Sequence, residues 1–173
     1  RNFLATAVTS PLKIKAFKFI NPGNLISNLA KSVNFIIKRN NKLFGYNTDV
    51  ISLIEIIKRI KKKKKILIIG LGGVGLPLSK VLISAKSYTV SALTSKKIVN
   101  IKRLTLYKKI NDIKDFDFDL VINCTPLGSD LSDQYLNKSP IPKRFFKTIN
   151  KNSIIFDIVY SPKKTKLNEI CLS

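Results

Sequence analysis

Lys13 and Asp49 are the residues of this chain best suited to moving a proton, because it contains no histidine. That absence removes the Ser-His-Asp triad, the Cys-His dyad, an imidazole base and imidazole metal ligands. A lysine and an aspartate held together can do the work instead: the carboxylate orients the ammonium, and local desolvation poises the amine for acid–base chemistry. Lys13 closes the cluster Val8-Thr9-Ser10-Pro11-Leu12-Lys13, and Asp49, the first acid in the chain, closes Gly45-Tyr46-Asn47-Thr48-Asp49. Between them lies Ser32-Val33-Asn34. Each residue also has a plainer reading. An aspartate in the first turn of a helix commonly serves the helix dipole, a lysine is commonly a solvated charge, and an asparagine is commonly a turn residue.

The second constellation is Gly70-x-Gly72-Gly73-x-Gly75, which follows an apolar run at 66–69 and opens a helix. In that context Gly70 permits a tight turn, Gly72 lets the backbone approach a pyrophosphate, and Gly75 lets helix and strand pack closely. Free N–H groups at the helix start then favour phosphate. About twenty residues on, where an acid would bond the ribose hydroxyls of NAD, residues 89–97 contain none. Thr94, Ser95, Lys96 and Lys97 stand there instead and suit a 2′-phosphate, so NADP is the expected cofactor. The alternative is a solvated loop in a chain where lysine is common everywhere.

These residues must be positioned by elements that the pattern also predicts. A helix begins at Asn47 or Thr48, both good caps, and continues through Ile51, Ile54 and Ile57 until the lysine block 61–65 ends it. After that block come strands at 66–69, 88–93, 104–107, 119–124 and 153–159, with a helix from the glycines to about 86. Strands alternating with helical stretches predict a parallel α/β sheet with helices on both faces. The expected organisation is a partial N-terminal catalytic α/β domain with a linker helix at 1–60, a Rossmann-like dinucleotide-binding domain at 61–165, and a return segment starting at 166–173.

Composition narrows the function classes. With 173 residues and 45% hydrophobic content, the chain can build one or two small domains with a core. Thirty-two Lys+Arg against 10 Asp+Glu give +22, which at first sight suggests a polyanionic partner. The lysines are spread along the whole chain rather than gathered into a patch with aromatics, so neither nucleic acid nor a membrane is expected as partner, and a basic nucleic-acid-binding protein is only the last of the alternative readings. Two cysteines, Cys124 and Cys171, build neither a zinc site nor a disulfide framework, so no metal is expected and a cytoplasmic, reducing setting fits. The apolar run 66–78 is too short to span a bilayer. The chain starts at Arg1 and has no methionine, which suggests a fragment.

Taken together the motifs resemble the shikimate dehydrogenase family (shikimate/quinate dehydrogenases). Val8-Thr9-x-Pro11-x-Lys13 looks like its VTxPxK motif, and Val33-Asn34 like the core of its AVNT segment. Gly45-Tyr46-Asn47-Thr48-Asp49 matches GYNTD, and Ile122-Asn123-Cys124-Thr125-Pro126-Leu127-Gly128 looks like INATPLG. Asp157-x-Val159-Tyr160-x-Pro162-x-x-Thr165-x-Leu167 looks like DxVYxPxxTxL. The resemblance implies NADPH-dependent reduction of 3-dehydroshikimate to shikimate, in aromatic amino-acid precursor biosynthesis. It implies Lys13 and Asp49 as the proton-transferring pair, and Thr9, Asn34 and Tyr160 as contacts of a small-molecule substrate. Gly70, Gly72, Gly73, Gly75, Thr94, Lys96, Asn123 and Thr125 would line the cofactor. Asp157 is expected to be a structural acid, and a homodimer is an open expectation. Departures from the pattern motivate a second reading, a degenerate homologue that acts as a binding module. Lys31-Ser32 replaces Gly-Ala, Ala92-Leu93-Thr94 replaces Asn-Arg-Thr, and Ser129 stands where Met is usual.

Overall fold

The structure, a computed structural model, describes residues 4–9, 11–60, 64–96 and 100–172. Ser10, three lysines of the block at 61–63, and Lys97 lie outside the described residues. The chain divides into two compact units, Arg1–Lys62 with Gly73–Lys86, and Lys63–Gly72 with Ser87–Ser173.

The first unit contains β1 (Ala5–Ala7), α1 (Lys13–Phe17), β2 (Asn21–Pro22), α2 (Leu25–Ala30), β3 (Phe35–Arg39), β4 (Lys42–Tyr46), α3 (Thr48–Arg59) and α4 (Gly75–Ser84). Its sheet runs β1-β3-β4-β2, antiparallel except for the parallel β4–β2 pair. The β3–β4 hairpin turns on Asn40 and Asn41, whose φ values of 47° and 58° are the left-handed pair that a tight two-residue turn demands. Asparagine tolerates that region better than most residues, which is why the turn falls here. Asn24 caps α2 by accepting the Ser27 N–H at 2.8 Å, while Ser27 Oγ accepts from the Asn24 N–H at 3.2 Å. Helix α3 buries Val50, Leu53, Ile54 and Ile57, the spacing of one helical face. Helix α4 packs on α2 and α3.

The second unit contains β5 (Lys65–Ile69), β6 (Thr89–Leu93), β7 (Leu104–Tyr107), β8 (Leu120–Asn123), β9 (Ile154–Asp157) and α5 (Lys166–Leu172). The strands form a parallel sheet in the order β7-β6-β5-β8-β9. Strand β8 is buried throughout and β5 from Ile66 onward, as expected of apolar runs in the centre of a parallel sheet. The chain is therefore α/β, with a mixed sheet followed by a parallel one. Two of the crossovers are less helical than the alternating pattern suggests. In the described residues the β7–β8 and β8–β9 crossovers carry only short 3₁₀ segments, at Ile110–Asp112 and Lys143–Lys147. Aromatic and branched loop residues do the covering instead: Ile113, Phe116, Phe118 and Ile141 pack with Leu67, Ile69 and Val121. Phe116 and Phe118 meet edge to face at 5.4 Å, so a loop supplies apolar area that a helix would otherwise bring.

Among the described residues no helix is long and apolar enough to cross a membrane. Nor does any group of three or more acids and cysteines form a set that could hold a metal ion.

Candidate functional site

The strand ends on one side of the first sheet collect the three polar clusters. Register does the collecting. Phe35 pairs with both Ala7 and Tyr46, so the residues just outside that row, Val8, Asn34 and Asn47, are neighbours. The Val8 N–H donates to Asn34 O at 2.8 Å and the Asn34 N–H to Tyr46 O at 2.9 Å, which locks the three segments together. From Val8 the chain passes through Thr9 and Pro11 into α1, whose first residue is Lys13. From Tyr46 it enters α3, with Asp49 in the first turn.

The result is a side-chain network. Lys13 Nζ donates to Asp49 Oδ2 at 2.6 Å, with side chains 15% and 35% exposed. The other carboxylate oxygen, Oδ1, accepts from Asn34 Nδ2 at 2.8 Å. Asn34 also receives the Thr48 N–H on its Oδ1 at 2.8 Å. Its amide is thereby clamped between the backbone of α3 and the carboxylate. Asp49 is thus held in one orientation from two sides, and one of its oxygens faces the ammonium directly. Thr9 is exposed, and its carbonyl accepts the Leu12 N–H at 2.9 Å.

Asn47 was legible only as one of two candidate caps, and the structure shows how much rests on it. It is completely buried. Its Oδ1 accepts the Val50 N–H at 3.0 Å and its Nδ2 donates to Ser32 O at 3.1 Å, so it fastens the start of α3 to the segment carrying Asn34. Ser32 itself is fully buried, and its hydroxyl is the buried side-chain polar atom without a hydrogen-bond partner among the described residues.

The second constellation sits at the carboxyl ends of β5, β6 and β8. Ile69 is in register with Leu93 on one side and Asn123 on the other. Strands leave β5 toward β6 in one direction and toward β8 in the other, the reversal at which parallel sheets open a crevice for ligands. Gly70 adopts φ +90° and donates its N–H to Leu93 O at 2.8 Å. A Cβ there would lie 2.6 Å from Thr125 Cγ2, so both conformation and space require glycine. At Gly72 a Cβ would meet nothing within 4 Å. Protein packing therefore does not require that glycine, and the backbone there is open to close approach. Gly73 and Gly75 follow, Gly75 being the first residue of α4. Helix α4 starts without a side-chain cap and without an acid in its first turn, as suits a helix end that meets phosphate.

Thr94 follows β6, is buried, and accepts the Lys96 N–H on its hydroxyl at 3.2 Å. Lys96 is exposed and its carbonyl accepts from Lys108 Nζ at 2.8 Å. Tyr160 is 89% exposed in the loop after β9. Asn123 is completely buried and its side chain is committed inside the protein. Its Oδ1 accepts from the Thr125 N–H at 2.9 Å and Thr125 Oγ1 at 2.7 Å, and its Nδ2 donates to Asp157 Oδ1 at 2.9 Å. Neighbouring Cys124 is buried, and burial, with the charge of Asp157, pushes its thiol up to about 12.

The fold is thus a mixed α/β unit bearing a Lys–Asp couple and a parallel α/β unit bearing a glycine turn at a strand reversal, the construction of a nucleotide-binding α/β protein with a separate polar site. Comparison with known proteins sharpens this. The chain is 29% identical to the NADP⁺ shikimate dehydrogenase of Pelagibacter ubique (strain HTCC1062), over 91% of this chain and 59% of that one. It is 33% identical to the NADP⁺ shikimate dehydrogenase of Clostridium botulinum (strain Hall), over 92% and 62%. The solved shikimate 5-dehydrogenase of Thermus thermophilus, in complex with NADP(H) and shikimate, superposes with a TM-score of 0.77 at 22% identity, over 99% of this chain and 64% of that one. That likeness concerns the fold. No family model matches the chain. Over some nine-tenths of its length the chain is similar to proteins named NADP⁺ shikimate dehydrogenase. It spans about 60% of the length of the curated relatives it matches.

Proposed function

We propose that this protein interconverts 3-dehydroshikimate and shikimate with NADP as cofactor. The observation that carries the reading is the 2.6 Å Lys13–Asp49 contact, braced by Asn34, in a chain similar to shikimate dehydrogenases. NADPH, when bound, supplies the hydride. In that direction Lys13 gives a proton to the carbonyl oxygen as it becomes a hydroxyl, and in the reverse direction takes it back. Asp49 keeps the ammonium aimed at that oxygen and accepts from a substrate hydroxyl. Thr9, Asn34 and Tyr160 are the further substrate contacts. Gly70, Gly72 and Gly73 with the start of α4 hold the pyrophosphate; the open space at Gly72 and the uncapped, acid-free helix start support this fit. Thr94, Ser95 and Lys96 serve the 2′-phosphate, the Thr94 hydroxyl accepting the Lys96 N–H and keeping its own O–H to donate. The reading places the enzyme in the cytoplasm with a small-molecule substrate.

The test is NADPH oxidation with 3-dehydroshikimate by the complete gene product. Lys13→Ala and Asp49→Ala should each lower kcat by roughly a thousand-fold, the scale of lost acid–base catalysis, while NADPH still binds. Unchanged turnover would remove the assigned roles. A second reading, a binding module without turnover, is favoured by the absence of Arg beside Thr94 at the expected 2′-phosphate position. Titration with NADPH and shikimate separates the two: no binding of either would favour this second reading.

A further inference from the structure

We infer that Asp157 is a positioning residue for the nucleotide site, acting by setting which way the buried Asn123 amide faces. The inference rests on the reading that Gly70 and Gly72 hold NADP. Asn123 can present either its oxygen or its NH₂ group toward Thr125, because the two ends of an amide have nearly the same shape and opposite hydrogen-bonding character. Thr125 offers its backbone N–H, and the oxygen end must face it for that donor to be satisfied. On the opposite side the NH₂ group meets two acceptors, Leu127 O at a long 3.4 Å and the shorter, charged contact with Asp157. Asp157 is an acceptor only, and its Oδ1 takes the Asn123 NH₂ group at 2.9 Å.

The carboxylate is in turn fixed by the Val159 N–H at 3.1 Å on Oδ1 and by Thr165 Oγ1 at 2.8 Å on Oδ2. The chain of consequence then runs toward the glycine turn. Asn123 Oδ1 grips Thr125 by both its N–H and its hydroxyl, and the Thr125 methyl group fills the space beside Gly70 that a Cβ would need. Thr125 Oγ1 also accepts the Leu127 N–H at 3.2 Å, so the whole loop after β8 follows the same orientation. A flipped amide would set an NH₂ group against the Thr125 N–H and push this wall away from the turn. Asn123 and Thr125 thereby serve the nucleotide by shaping its turn, with their own polar groups spent inside the protein.

The experiment measures NADPH affinity of the chain by equilibrium dialysis, which needs no turnover. Asp157→Asn removes the acceptor-only constraint and should weaken NADPH binding about tenfold, the equivalent of one charge-assisted hydrogen bond. Asn123→Asp sets two carboxylates against each other and should weaken it further. The double variant Asn123→Asp/Asp157→Asn again sets one carboxylate facing one amide, at the cost of an NH₂ group facing the Val159 N–H, and should bind NADPH more tightly than Asn123→Asp. Thr165→Val cuts the α5 tether without changing the polarity of the pair. It should lower thermal stability and leave NADPH affinity within about twofold.

A double variant no better than Asn123→Asp, or Thr165→Val as damaging to binding as Asp157→Asn, would overturn the inference. So would Asp157→Asn with wild-type affinity, leaving the functional reading intact. A wild-type chain that does not retain NADPH would overturn the functional reading first. If Asp157→Asn does not fold, the swapped double variant decides: folded with restored binding upholds the relay, and folded without binding rejects it.

Discussion

The two units hold their polar sites by opposite means. In the first, the site is a set of side chains bonded to one another across 14 to 36 residues of sequence: Lys13 to Asp49, and Asn34 to Asp49 and Thr48. In the second, side chains such as Asn123, Thr125 and Asp157 are spent on one another, and what the unit offers is backbone and the space where Gly72 lacks a side chain. A site made of functional groups fails when one group is removed, even though the fold survives. A site made of backbone survives most side-chain changes and fails when the turn itself is altered.

The largest expected effect sets these two kinds of failure side by side. Against the roughly thousand-fold loss in kcat for Lys13→Ala or Asp49→Ala, Gly72→Ala should leave kcat nearly unchanged and raise the KM for NADPH by about tenfold or more. Loss of kcat in Gly72→Ala at saturating NADPH would dissolve the contrast. Next comes a comparison inside the glycine turn. Gly70→Ala meets both a left-handed φ and Thr125, and should cost about 2 kcal/mol in urea unfolding. Gly72→Ala enters open space and should stay within about 0.5 kcal/mol of wild type. Equal destabilisation by the two would mean that the second glycine is structural as well.

Sequence reasoning reached the two units unequally, and for the same reason. The five parallel strands, the glycine turn and the start of α3 were legible because each is written in contiguous residues: apolar runs, Gly spacing, and Asn47-Thr48-Asp49 at a helix start. The first sheet was not. Its strands are short and partly exposed, and β2 has only two residues. One signal was present and unused: Asn40-Asn41 between two apolar-containing runs marks the β3–β4 hairpin, and with it the register that brings Asn34 to Asp49. The 3₁₀ crossovers were illegible because their covering role depends on Phe116, Phe118 and Ile141 meeting β5 and β8 in space. Ser32 is a similar case. Only the structure shows that its hydroxyl is sealed in without a partner while its carbonyl anchors Asn47. Ser32→Ala should therefore stabilise the first unit by about 1 kcal/mol, read as a higher urea midpoint at constant slope. A lower midpoint would mean that the hydroxyl does have a partner in solution.

The smallest expected effect belongs to the second unit, where charges tie the beginnings of strands rather than their functional ends. Lys65, the first residue of β5, donates to Asp117 Oδ2 at 2.6 Å, and Asp117 also accepts from Asn150 at 3.2 Å. The Lys65 hydrogen bond, then that of Asn150 and the Lys65 charge, hold the Asp117 carboxyl below its usual range. The hydrogen bond from Lys65 to Asp117 holds the ammonium above its usual range. Both groups are solvent-facing, so screening keeps the contribution modest. Its pH window follows from the signs. A lowered carboxyl contributes above the ordinary aspartate pKa of about 4 and loses that contribution as pH falls through its depressed value. A raised ammonium contributes below the ordinary lysine pKa of about 10.4 and loses it as pH climbs through its raised value. Lys65→Gln should therefore unfold at slightly lower urea than wild type near neutral pH. The gap should close in acid as Asp117 protonates, and shrink at any pH when salt is added. A gap that persists unchanged into strong acid would assign the effect to the packing of the Lys65 stem along β5 rather than to its charge. The Lys13–Asp49 couple of the first unit would then be the one ion pair of the two whose value lies in its charges.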